Sequence, residues 1–127
     1  MSTFQQHSVS WFEIPSQDFD RAHQFYSRVV GQMLPIQEAD GTQMALLPHE
    51  PTSGVGGAVV HSADARPTQD GTRVYLNAHD EMNTWLERVI PAGGSVVVNK
   101  TKIASEGGYW AVIADTEGNH VGVFGRS

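Results

Sequence analysis

Residues 9–31 read VSWFEIPSQDFDRAHQFYSRVVG, and two periodicities meet within them. Val9 to Ile14 alternate in character as a half-buried strand does, and Pro15-Ser16 stops that strand before a helix starts. Asp18 or Ser16 can cap the helix. Phe19, Ala22, His23, Phe25, Tyr26, Val29 and Val30 then form an apolar stripe at three- and four-residue steps, ended by Gly31. A strand leading into an amphipathic helix is the first unit, and the helix stripe requires a core to face.

Beyond Gly31, Met33 to Glu38 and Gln43 to Leu47 are β-like runs separated by Ala39-Asp40-Gly41, a turn signal, and read as a hairpin. Gly54 to Gly57 release the chain into Ala58 to His61, a fourth strand, and the polar Ser62 to Gly71 has no apolar period. The same order then returns. Thr72 to Ala78 reads as a strand, and Glu81 to Ile90 as a helix with Met82, Trp85, Leu86, Val89 and Ile90 on one face, closed by Gly93-Gly94. Ser95 to Lys100, Tyr109 to Ala114 and His120 to Phe124 follow as strands, the last two joined by the turn Asp115-Thr-Glu-Gly118-Asn119. Neither half, roughly 60 residues long, buries enough apolar surface alone. The expectation is an α+β chain of two tandem βαβββ modules in a single domain over 1–127: module one about 7–62, a linker about 63–71, module two about 72–125.

Composition removes several functions. The 127 residues carry a formal charge of −6 without a Lys/Arg cluster, the wrong footprint for phosphate backbones, so nucleic acid is not an expected partner. No apolar run approaches the roughly 20 residues of a membrane span, so no membrane association and a cytoplasmic setting are expected. Cysteine is absent, which excludes disulfides, a thiol nucleophile and thiolate metal sites. No Ser-His-Asp spacing, nucleophile elbow or Gly-rich phosphate loop is present, and nucleotide cofactors are not indicated.

The pattern Asp18-x6-Phe25-Tyr26-x4-Gly31 resembles the opening of glyoxalase-like domains. Gly56-Gly57-Ala58, Val74 to Asn77 leading to Asp80, Ala92-Gly93-Gly94, and Gly108-Tyr109 before Asp115 to Asn119 resemble the predicted enzymes related to lactoylglutathione lyase. These belong to the vicinal oxygen chelate superfamily, which includes glyoxalases, bleomycin resistance proteins and dioxygenases. The resemblance spans nearly the whole chain. It implies the glyoxalase/bleomycin-resistance fold, a cleft between curved sheets that holds a small-molecule ligand, and a homodimer.

Metal-dependent members hold their ion with four His, Glu or Gln side chains from the first and last strand of each module. Counting from Asp18 puts the first such position at Trp11. The count from Gly93 puts the third at Val74, the last strand offers Gly122, and the remaining position falls within Gly57 to His61. Trp, Val and Gly cannot ligate a divalent ion, so no metal cofactor is expected and a metal-dependent glyoxalase I activity is not. Glu13, His61, His79 and His120 are the spaced candidates for a displaced site, without a recognised metal motif.

Trp11 and Glu13, two apart on a strand, share a face, and the family count makes it the cleft face. Burial beside Trp11 would raise the Glu13 carboxyl and suit it to proton transfer as the catalytic group; the alternative is that Glu13 pairs with a neighbour across the sheet or meets solvent. The same count selects Val74 and Leu76 for the cleft over Tyr75 and Asn77, and Trp110 adds a surface for stacking a flat ligand. The expected ligand-binding set is therefore Trp11, Glu13, His61, Val74, Leu76, Trp110 and Gly122. Three functional classes remain open: a metal-independent lyase or isomerase acting on a small metabolite, a protein that sequesters an antibiotic or aromatic compound, and a dimer-forming structural module.

Overall fold

A computed structural model describes residues 7–39, 41–104 and 107–127. Asp40, in the expected hairpin turn, lies outside them. The elements run β1 (Trp11–Pro15), α1 (Phe19–Val30), β2 (Ile36–Ala39), β3 (Thr42–Leu46), β4 (Gly56–His61), β5 (Tyr75–His79), α2 (Met82–Val89), β6 (Ser95–Lys102), β7 (Tyr109–Ala114) and β8 (His120–Gly125). The order βαβββ occurs twice, as the sequence pattern required.

Each unit makes its own four-stranded sheet, ordered β1-β4-β3-β2 and β5-β8-β7-β6. The first and last strands of a unit pair in parallel, which a tight hairpin cannot achieve, and the intervening helix and strands supply the crossover. The registers correspond: Trp11 lies opposite Gly56 in the first sheet, and Tyr75 opposite Gly122 in the second.

Both helices pack between the units, and one apolar cluster gathers Ile14, Ala45 and Val59 from the first sheet with Leu76, Ala111 and Val123 from the second. Helix α1 begins where the Asp18 carboxylate accepts the Arg21 N–H (3.1 Å), and ends at Gly31 in the left-handed region (φ 94°). Helix α2 is shorter than its apolar pattern suggests. It stops at Val89, so Ile90, expected on the packed face, is 69% exposed beyond the last buried turn. Strand β5 likewise begins at Tyr75 rather than Thr72.

The two units are joined by the turn between β7 and β8. The Glu117 side chain has no solvent exposure; its Oε1 accepts the N–H groups of Gln17 (2.9 Å) and Asp18 (2.7 Å), and its Oε2 accepts Arg21 Nε (2.7 Å) and the Thr116 hydroxyl (2.8 Å). Asn119, read from the sequence as part of a turn, is also a buried bridge; Gly118 takes the left-handed conformation there (φ 99°). The Asn119 amide donates to Pro15 O and to Asp115 Oδ2 (both 2.8 Å), and its Oδ1 accepts the Thr68 N–H (3.2 Å). Tyr26 donates to Asp115 Oδ2 at 2.6 Å. Burial, followed by the neighbouring Asp115 carboxylate, pushes the Tyr26 hydroxyl well above its usual range.

Burial alone would raise the Glu117 carboxyl, but the hydrogen bonds from Arg21, Asp18, Thr116 and Gln17 outweigh it and bring the group from 4.5 to about 2. A carboxyl depressed on folding adds stability above its unfolded pKa, and that stability is lost as pH falls from about 4.5 toward about 2. Glu117→Gln is expected to cost about 2 kcal/mol at neutral pH, the range for a charge-assisted hydrogen bond. Urea unfolding should show the gap to wild type narrowing at about pH 3, and an equal gap at both pH values would refute the linkage.

Candidate functional site

Each sheet turns one face to the helices, and strand alternation decides what remains on the other. In β5, Leu76 and Ala78 are buried in the core while Tyr75 and Asn77 are exposed. The register places Gly122 beside Tyr75, Phe124 beside Asn77, and Trp110 beside Phe124. The Tyr75 ring lies across Gly122, where any β-carbon would collide with it. Tyr75, Asn77, Trp110 and Phe124, with Ile103, line an open cavity of about 520 Å³. Three aromatic side chains thus converge on an exposed face, although burying them would remove the most apolar area from water.

On the first sheet, Trp11 and Glu13 share a face as expected, and the indole Nε1 donates to Glu13 Oε2 at 3.2 Å. Trp11 is 43% exposed and Glu13 is also exposed, so the burial that was to tune this carboxyl is not found. The placing of Val74 and Leu76 in the cleft is corrected. Leu76 pairs with Val123 in the core, and Val74, ahead of the strand, is partly buried against that core. The family count was one residue out at β5, because the position equivalent to Trp11 is Tyr75. The sequence separates the two sets, since Leu76 and Ala78 alternate with Tyr75, Asn77 and His79, and the fold decides which set faces the helices.

His61 does not join Trp11 and Glu13. Its Nδ1 is 3.0 Å from Ser16 O, and it lines a separate hollow with Gln17, Arg66 and Glu117. Of the residues weighed for a displaced metal site, Glu13 and His120 border one hollow of about 260 Å³ between the units. His79 lies at the far end of β5. Among the described residues, no three His, Asp or Glu side chains are grouped so as to hold a metal ion. Trp11, Gly56, Tyr75 and Gly122, at the matching register positions, also lack the donors for one. No described helix is long and apolar enough to cross a membrane.

The sequence matches no protein-family model and no curated protein. Solved structures resemble the fold closely. A glyoxalase/bleomycin resistance protein from Albidiferax ferrireducens T118 superposes with a TM-score of 0.73 at 14% identity, over 95% of this chain and 100% of that one. A glyoxylase/bleomycin resistance protein/dioxygenase domain from Frankia sp. EAN1pec gives 0.68 at 14% identity, over 97% and 94%. A glyoxalase I mutant from Zea mays gives 0.64 at 14%, over 91% of this chain and 45% of that longer one. Two four-stranded sheets with two helices, in two tandem βαβββ units, give this chain the glyoxalase/bleomycin-resistance fold.

Proposed function

We propose that this chain is a small-molecule-binding protein of the vicinal oxygen chelate superfamily that sequesters a flat, largely apolar compound on the open face of its second sheet, without a divalent metal. The observation that carries this reading is the convergence of Tyr75, Trp110 and Phe124 around a cavity of about 520 Å³. Stacking against such rings contributes about 0.5–1.5 kcal/mol per pair beyond area burial. Asn77 Oδ1 already accepts the His79 N–H, which leaves its amide N–H groups to donate to a ligand oxygen. The bleomycin-resistance type of function needs such a surface and no proton chemistry.

A metal-independent lyase or isomerase is the second reading, and the observation in its favour is the hollow shared by Glu13 and His120, a carboxylate and an imidazole that could divide acid and base roles. Self-association belongs to either reading: Trp11 and Val97 are exposed and apolar, and a second copy could cover them.

Titration with planar aromatic compounds is expected to quench tryptophan fluorescence. Trp110→Ala should lose roughly tenfold in affinity or more, about 1.4 kcal/mol, while Glu13→Gln stays within about twofold. A Trp110→Ala variant that binds as wild type would remove the sequestration reading. Turnover of an α-hydroxycarbonyl compound that Glu13→Gln abolishes would install the enzymatic one. Elemental analysis after growth with added Zn, Ni, Mn and Fe should give substoichiometric metal, and one ion per chain would overturn the metal-free assignment.

A further inference from the structure

The polar groups of the aromatic face favour one partner in a hydrogen bond over the other. Its lining of Tyr75, Asn77, Ile103, Trp110 and Phe124 carries no carboxylate, ammonium, guanidinium or imidazole. Lys100, on the neighbouring strand β6, is engaged with the Tyr109 ring (4.3 Å) and with Asn83 Oδ1 (3.1 Å). The polar atoms of the lining are therefore the Asn77 amide, the Trp110 indole N–H, which only donates, and the Tyr75 hydroxyl, which does either.

The Asn77 amide is held in one sense. A backbone N–H can only donate, so the side-chain atom 2.9 Å from the His79 nitrogen is the amide oxygen, and the NH2 group takes the other position. An asparagine bonded to the backbone two residues on makes a local turn, and this one sits where the β5–β8 pairing shifts between Asn77 and His79. Among the described residues His79 is the non-glycine residue with positive φ (52°), a conformation that persists only where its surroundings enforce it. Its carbonyl accepts the Arg126 N–H at 2.6 Å, and Ala78 O accepts the Glu81 N–H at 2.8 Å, so the backbone on both sides of that N–H is tied. The register keeps Asn77 beside Phe124, and among the described residues its NH2 group donates to no protein acceptor.

From this fixed orientation and uncharged lining we infer that the aromatic face selects neutral planar compounds with a carbonyl or similar acceptor oxygen at the ring edge, with Asn77 donating to that oxygen and His79 acting as the positioning residue for Asn77. The inference rests on the stacking reading above and adds to it the polarity of the ligand. A carbonyl receives the amide N–H while its ring stacks beside Trp110 and Phe124, whereas a ligand carrying only an N–H donor meets the NH2 group donor to donor. An ionised ligand would give up hydration to a lining without a countercharge.

The test compares coumarin, a flat bicycle with a carbonyl acceptor and no donor, with indole, a flat bicycle with one N–H donor and no acceptor oxygen, by amide chemical-shift titration of the full chain. Coumarin is expected to bind about fivefold more tightly or better, equivalent to about 1 kcal/mol. Asn77→Asp keeps an acceptor for the His79 N–H and replaces the NH2 group by an oxygen, so the coumarin-to-indole affinity ratio should fall about tenfold, or about 1.4 kcal/mol. His79→Gly, which takes positive φ freely, should keep the wild-type ratio, and His79→Val, whose branched side chain opposes that conformation, should lower it about threefold. The amide spectrum away from this face verifies that each variant is folded. A wild-type ratio of one or less, or a ratio that Asn77→Asp leaves unchanged while Trp110→Ala still weakens both probes, overturns this inference and spares the stacking reading. Binding of neither probe up to about 10 mM, or binding that Trp110→Ala leaves as it was, removes both. A folded His79→Val variant with the wild-type ratio removes the positioning role.

Discussion

A single buried carboxylate organises the join between the two halves of this molecule. Glu117 sits in a turn of the second unit, yet the groups that satisfy it are the backbone approach to α1 and the Arg21 side chain, nearly a hundred residues earlier. An uncompensated charge in that position would be costly, so the ordered turn and the ordered start of α1 require each other. Asn119 and Asp115 extend the constraint to Pro15, Thr68 and Tyr26. The polar bridge sits beside the apolar cluster that both helices share, and its bonds are directional where the cluster's contacts are not.

Once that join is made, the open faces follow from strand alternation. The helices cover the face carrying Ile14, Val59, Leu76 and Val123, and the opposite face keeps Trp11 and Glu13 on one sheet and Tyr75 and Asn77 on the other. The correspondence between Trp11 opposite Gly56 and Tyr75 opposite Gly122 shows the repeat at the level of individual residues. In both units an aromatic side chain lies next to a glycine, and at Gly122 the absence of a side chain is what lets the Tyr75 ring lie flat. Aromatic rings, Trp11 and Tyr75, hold the matching register positions of the two sheets, each opposite a glycine.

The sequence by itself determined the order of elements, because hydrophobic period is a local property: the stripe from Phe19 to Val30, the strand Tyr109 to Ala114 and the glycine stops are legible without knowing what they touch. It also determined that Trp11 and Glu13 share a face, since strand alternation is local too. Only the tertiary structure decided which face is which in β5, because a shift of one residue exchanges Val74 and Leu76 for Tyr75 and Asn77, and a count from a distant glycine cannot hold register to one residue. The roles of Glu117 and Asn119 were equally out of reach. Their neighbours in sequence mark only a turn, and the partners that make them a bridge are brought close by folding alone.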